Sequence, residues 1–485
     1  MSILHIVILT AVLTLLSPFL LPGSPAHAAD VVLPDLGDAS SGLITPRQEF
    51  ELGQKWLRMY RSQVLTSSDP FLQMYIEDLI RKISYSSEVD DKRLDIVVVD
   101  NPTLNAFAVP GGVIGVHTGL FTYADTEDQF SSVLAHELAH LSQRHFARRV
   151  ADQKEKSIPT MAAMLASILI AVTAGGDAGV AAISATQAAA IGSQLSFSRQ
   201  MEQEADRIGM ETMVRSGKDP FAMSAMFENM LKASRFSRRP PEFLLTHPLT
   251  ESRVSDALLR AQQYDKKYFA QSKDFYFAKV RAQLAHEKNL QFAIRHFEDR
   301  LKDETSAKDA VTYGLALALT RAGNLDKAEQ ILVPLLKAQP DNIYFIIAQA
   351  EIDAERKDFD MATQRIAKKL AIMPKHHALN IRHAEILMKA SRYQECEKLL
   401  KAHSKRRPKD DYVWYLLAEV HGLAGNIFNV HTARAEYFLL NGLYDKAIIQ
   451  LKNARNLIDK KDKHSIAKLD QRLMYARNLK ESAKL

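Results

Sequence analysis

His136-Glu137-Leu138-Ala139-His140 carries the spacing of a metal-binding helix. Two residues four apart share one helix face, about one turn from each other. Neutral imidazoles so placed reach one Zn²⁺ at about 2.0–2.1 Å each. Glu137 then stands beside the metal, where it can take a proton from a water that the metal acidifies. That arrangement serves peptide-bond hydrolysis. An amphipathic helix with two surface histidines spells the same letters, so the reading needs partners elsewhere in the chain.

The flanking text frames this helix. Asp125 or Thr126 can cap its start, and Glu127 and Asp128 suit the positive end of its dipole. The pattern predicts a helix through about Val150. On a continuous helix His145, nine residues after His136, is turned about 180° from the zinc face. It is expected to pack or hydrogen-bond elsewhere. Upstream, a helical region runs to about Ser84. The stretches 94–99, 105–109 and 113–116 read as short strands, with Pro110-Gly111-Gly112 as the turn between the last two.

Zinc needs a further protein ligand. The helix expected from about Ser198 to Arg215, stopped by Gly217, offers two glutamates that cannot share a face. Glu202 lies with Ala205, Asp206 and Gly209, which permit close approach. Glu204 lies with Arg207 and Glu211, a solvent pattern. Glu202 is therefore the expected ligand, and Asp206, one turn on, is placed to orient a zinc histidine through its other nitrogen. His247, before Pro248 and near Arg253, is in a loop. It could fill zinc's open position or simply be solvated.

The rest of the chain sets the architecture. Its 485 residues, 47% hydrophobic with a formal charge of +6, predict two or three packed domains. The lone Cys396 excludes an intramolecular disulfide and a multi-cysteine zinc site. Lys405-Arg406-Arg407 and Lys460-Lys461 read as solvated helix ends, without a nucleic-acid motif. Ile3 to Leu21 is almost wholly apolar and precedes Ala26-His27-Ala28, the pattern of a signal peptide over 1–28, cleaved near Ala28. It lacks a preceding Lys or Arg, the mark against cleavage. Ser157 to Gly176 is uncharged; with the Ala-rich text to about 195 it reads as a hairpin beside the active site or against a membrane surface.

From about Asp274 the pattern becomes all-helical. Pro340, Pro374 and Pro408 recur every 34 residues, as do Ala328, Ala362 and Cys396. So do Gly323, Lys357, Ser391 and Gly425 at the expected turn within each helix pair. This is the tetratricopeptide (TPR) period, whose stacked pairs form a groove for protein partners. Gly442 to Ala447 resembles a further copy out of register, and Ile427-Phe428-Asn429-Val430 departs from the consensus. The predicted fold is α+β and mainly α: a zincin-type domain with a small sheet at 29–270, then an all-α TPR solenoid at 271–485.

His136-Glu137-x-x-His140, Glu202-x-x-x-Asp206, Asn105-Ala106-Phe107-Ala108 with Pro110-Gly111-Gly112, and Thr246-His247-Pro248 with Arg253 resemble the HtpX-like zinc metallopeptidases. With the leader and the repeats, the resemblance extends to family members of the bacterial periplasm. It implies a zinc endopeptidase with one Zn²⁺ per chain, acting on stalled or misassembled outer-membrane β-barrel proteins and assisting their assembly. It implies that the repeats engage the barrel-assembly machinery or its substrates, and that His247 is a fourth, regulatory zinc contact. Glu137 and Asp206 are then the catalytic pair. Asn105, Ala106 and Phe107 are candidates for the edge along which substrate pairs. Arg253 either stabilises an oxyanion or holds its loop. Two rivals stand beside this reading: a TPR chaperone or adaptor with a minor proteolytic role, and a membrane-embedded peptidase, which would need more apolar spans than the chain offers.

Overall fold

The computed structural model describes residues 44–152, 197–236, 241–302 and 307–483. The expected leader and the Ala-rich segment around 157–195 lie outside these residues. Among the described residues no helix is long and apolar enough to cross a membrane.

The first helical region is two helices. α1 (Pro46–Arg61) begins with a capping box between Thr45 and Gln48. α2 (Pro70–Ser86) begins on Asp69, whose carboxylate accepts from the N–H groups of Phe71 and Leu72. Each has proline in its first turn, where a missing N–H costs no helical bond. β1 (Asp95–Val99), β2 (Ala106–Val109) and β3 (Val113–His117) form a sheet in the order β1-β3-β2. β1 is parallel to β3, and β2 is antiparallel to it. Gly111 and Gly112 turn the hairpin at φ of 82° and 81°. Strand alternation divides the two faces. Val97, Val99, Phe107, Val109 and Val113 pack on Trp56 and Tyr60 of α1. Val98, Ala106, Ile114 and Val116 face the main core.

After the one-turn α3 (Leu120–Tyr123) comes α4 (Glu127–Ser142), capped by Thr126 and buried along most of its length. The helix does not run on to Val150. Arg144 adopts φ of 48°, a left-handed conformation that ends it, and α5 (His145–Asp152) starts afresh. The Arg144 guanidinium donates to the Ile44 carbonyl at 2.7 Å and sits 3.3 Å from Glu49. Those contacts offset the roughly 1–2 kcal/mol that left-handed backbone costs an ordinary residue. α6 (Arg199–Arg215) starts on Ser198 and packs along α4. A Cβ on Gly209 would stand 3.2 Å from the His136 backbone nitrogen, so glycine sets the close approach of the two site helices. α7 (Phe221–Phe236), α8 (Glu242–Thr246) and α9 (Glu251–Ala261) complete this half.

The remaining helices pair as the 34-residue period predicts. They are α10 (Lys273–His286), α11 (Leu290–Arg300), α12 (Lys308–Arg321), α13 (Leu325–Ala338), α14 (Ile343–Glu355), α15 (Phe359–Ile372), α16 (His377–Lys389), α17 (Tyr393–Arg406), α18 (Asp411–Leu423), α19 (Ile427–Leu440), α20 (Tyr444–Asn456) and α21 (Lys463–Ser482). Gly323, Lys357, Ser391 and Gly425 all have positive φ, each following a helix in a Schellman turn. Gly442 repeats that turn between pairs, where its predecessors in the period are prolines. Lys357 and Ser391 lack glycine's freedom. Lys357→Gly and Ser391→Gly are each expected to stabilise the protein by about 0.5–1 kcal/mol, read as a higher urea midpoint. A lowered midpoint would mean that side-chain contacts outweigh the strain.

The first helices of successive pairs touch one another and form the inner face of the solenoid. That face is not wholly open to partners: α2 packs against α10 and α16. Phe71 stacks on Tyr344 at 4.5 Å, Arg281 donates to Asp69 at 2.8 Å, and Arg407 donates to Glu77 at 2.7 Å. Residue 270 falls in the mostly exposed, non-helical connection 262–272, but the helix beyond it packs on both sides of that connection. α10 gives Phe275 and Ala278 to the peptidase core, and Phe277 and Val280 to the first repeats.

Candidate metal centre

α4 and α6 bring their site residues together as their spacing predicts. His136 Nε2 lies 3.0 Å from His140 Nε2 and 3.5 Å from Glu202 Oε2, and His140 Nε2 lies 3.4 Å from Glu202 Oε1. His247, the residue that ends α8, completes the set. Its Nδ1 is 3.4 Å from His136 Nε2 and 3.0 Å from Glu202 Oε1. Zinc donors at about 2.0–2.1 Å stand about 3.3–3.4 Å apart in a tetrahedron, and one donor atom from each of these four residues lies within 4.8 Å of the others, a group that could hold the ion. They form the one such metal-ligating group among the described residues. All are buried, with exposures of 1% for His136, 4% for His140, 1% for Glu202 and 2% for His247.

Electrostatics follow from that burial. Burial pushes the Glu202 carboxyl up, but the three surrounding histidines outweigh it and hold the group well below the usual carboxylate range. Burial likewise raises Asp206, and Arg253 and His136 reverse the shift. Glu137, with fewer opposing groups, stays raised, chiefly by desolvation, and it accepts from the Ala108 backbone N–H. Its Oε1 lies 3.4 Å from His247 Nε2. One imidazole therefore faces the metal position with Nδ1 and the neighbouring carboxylate with Nε2.

The His247 ring lies between Phe243 at 4.6 Å and Phe197 at 5.4 Å, near-parallel to both. Its arm is tied down at several points. The Phe197 N–H donates to the Thr246 carbonyl at 3.1 Å, and the Phe243 N–H donates to the Leu104 carbonyl at 3.3 Å. Arg253 reaches Asp206 with Nε and Nη2, each at 2.8 Å. Its Nη1 is 2.8 Å from the Pro248 carbonyl and 2.7 Å from Glu202 Oε2. Of the two roles considered for Arg253, this geometry is that of a brace on the loop and the acidic residues. Asp206 Oδ1 is 3.0 Å from His136 Nδ1, the placement expected of it.

Three sequence expectations need correction or narrowing. His145 is outside the donor group and hydrogen-bonds instead, as expected, but on a new helix rather than a continuous one: the break at Arg144 sets its Nδ1 2.9 Å from His140 Nδ1, behind that donor. Glu204 is not a solvent residue; it contacts His145 Nε2 at 3.1 Å and Arg148 at 2.9 Å. Phe107 points its ring into the α1 core over Gly115, where a Cβ would be 2.0 Å from the ring. Asn105 is also occupied: its side chain donates to Glu242 at 3.3 Å and its carbonyl accepts from the His117 N–H at 3.1 Å. In that antiparallel register 105, 107 and 109 bond into the sheet, and the backbone of 104, 106 and 108 faces off its free edge. Ala106 is fully buried, with its side chain in the main core and its backbone turned toward that edge.

A helix pair that gathers two histidines and a glutamate around one point, with a second glutamate beside it, defines a metallopeptidase of the zincin class. The model of peptidase family M48 matches residues 67–261, and a tetratricopeptide repeat model matches 354–420. The β-barrel assembly-enhancing protease of Escherichia coli (strain K12) is 35% identical over 463 residues, covering 95% of this chain and 94% of that protein. The putative β-barrel assembly-enhancing protease of Vibrio cholerae is 33% identical over 445 residues, covering 90% and 91%. The mitochondrial metalloendopeptidase OMA1 of Schizosaccharomyces pombe is 30% identical over 195 residues, covering 40% of this chain and 54% of its own length. The chain belongs to the β-barrel assembly-enhancing protease family and is a zinc metalloendopeptidase with tetratricopeptide repeats.

Proposed function

We propose that this protein is a periplasmic endopeptidase that degrades stalled or misassembled outer-membrane β-barrel proteins, assists their assembly, and is held latent by His247. The observation that carries the latency is the buried His247 ring, which stands at the fourth corner of the donor set and against Glu137. The names of the relatives support the substrate class, and the repeats support a protein partner.

His136, His140 and Glu202 would hold the metal. Bound zinc supplies Lewis-acid polarisation of water and of the scissile carbonyl. Glu137 takes the proton of the attacking water and delivers it to the leaving amine. Substrate would enter as an extended strand at the Ala106 edge, through main-chain hydrogen bonds that read backbone more than side chain. Departure of His247 frees the fourth position and Glu137 together, so a partner or substrate that binds the open loop better would raise activity. A bound fragment of an outer-membrane barrel should therefore increase cleavage of an unrelated unfolded protein. No stimulation by any barrel fragment would count against this control.

One feature favours the adaptor reading: four protein donors around a metal make a closed site of the structural kind. Under that reading Glu137→Gln preserves assistance to barrel assembly in cells. Loss of that assistance, with binding intact, supports the enzyme.

Metal removal has an expected effect on stability, because a ligand that binds only the folded state stabilises it. At about 100-fold excess over its Kd the gain is about 2.7 kcal/mol. Stripping zinc with a chelator should lower the unfolding temperature, and zinc should restore it. An unchanged temperature would place the metal elsewhere.

A further inference from the structure

The helix break after α4 places a buried histidine behind one of the metal donors, and that pair has no part in the reaction as derived above. His145 is fully buried, and its ring lies edge-on to His140 with centroids 4.8 Å apart. The two Nδ1 atoms are 2.9 Å apart, so one must donate and the other accept. His140 directs Nε2 at the donor set. Nε2 must keep its lone pair for a metal, so the His140 proton sits on Nδ1. That proton points at His145 Nδ1, which must accept.

His145 can accept only as the neutral ring with its proton on Nε2. That nitrogen faces Glu204 Oε2 at 3.1 Å, and the carboxylate is held in place by Arg148 at 2.9 Å. Every hydrogen in the chain His140–His145–Glu204 is thereby assigned, with no donor facing a donor. The other helical donor has a simpler version of the same support, the Asp206 carboxylate at His136 Nδ1.

We propose that His145, held by Glu204, is a positioning residue that fixes the tautomer and ring orientation of His140 for zinc. Partners of this kind behind a metal histidine change metal affinity by about 10–100-fold. The inference rests on His140 being a zinc donor.

The test is zinc affinity of the full mature chain, measured by competition with a chromogenic chelator, beside the unfolding temperature of the zinc-free protein. His145→Ala should weaken zinc by about 10–100-fold. His145→Asn should stay within about threefold of wild type, because its Oδ1 replaces the accepting Nδ1. The two zinc-free variants should unfold at similar temperatures. Glu204→Ala, on a partly exposed helix face, should weaken zinc severalfold and decides the matter if His145→Ala does not fold. Equal zinc loss in the Ala and Asn variants, or wild-type affinity in His145→Ala or Glu204→Ala, would overturn the proposal. His140→Ala is the control: undiminished zinc binding there would overturn the donor assignment itself, and the positioning role with it.

Discussion

Glu137→Gln is expected to lower peptide cleavage by about 10²–10⁴-fold, the usual contribution of a positioned general base. The substitution keeps the size of the side chain and removes its charge and its ability to accept the water's proton. Zinc content and the unfolding temperature should remain near wild type, since Glu137 is not among the four donors that converge on one point. The Ala108 N–H that donates to the carboxylate can donate to the amide oxygen instead. The single carboxylate beside the donors has no neighbour placed to take over, because Glu202 and Asp206 are braced by Arg253. A Glu137→Gln variant that cleaves as fast as wild type, at equal zinc content, would assign the base elsewhere.

His247→Ala is expected to act in the opposite direction. In the closed state the ring fills one corner of the donor set and its other nitrogen faces Glu137. Replacing it should raise kcat/KM by about tenfold or more, if the closed loop is the dominant state of the free protein. The variant should also bind zinc more weakly, through loss of one donor, and lose stability through the space left between Phe197 and Phe243. Arg253 complicates a cruder test. Removing it would free the Pro248 carbonyl but also leave Glu202 and Asp206 without their buried cation. Substitution at His247 separates the two effects. Unchanged cleavage together with unchanged zinc affinity would contradict the latency.

Much of this site was legible because its signals are helical. His136 with His140, and Glu202 with Asp206, are fixed by offsets of four on helices whose starts are marked by Thr126 and Ser198. Face-sharing with small residues distinguished Glu202 from Glu204, and at Gly209 an added Cβ would stand 3.2 Å from the His136 backbone nitrogen. The turns at Gly323, Lys357, Ser391 and Gly425 were likewise fixed by period alone. What could not be read was tertiary. The helix break at Arg144 depends on Ile44 and Glu49, nearly a hundred residues upstream, and no proline or glycine marks it. That break moved His145 from the far face to the back of His140 and turned Glu204 into its partner. The inward turn of Phe107 is tied to the absence of a side chain at Gly115 across the hairpin, a register effect. The packing of α2 into the solenoid depends on pairs such as Phe71 with Tyr344, which no local pattern connects.

The most direct measurement compares His247→Ala with the His247→Ala/Glu137→Gln double variant, as purified zinc-loaded proteins, on one unassembled outer-membrane barrel protein. Cleavage is followed by gel. Rapid cleavage by the single variant, slow cleavage by wild type, and none above background by the double variant are expected. Equal cleavage by the single and double variants would contradict this, because the activity would then not pass through Glu137.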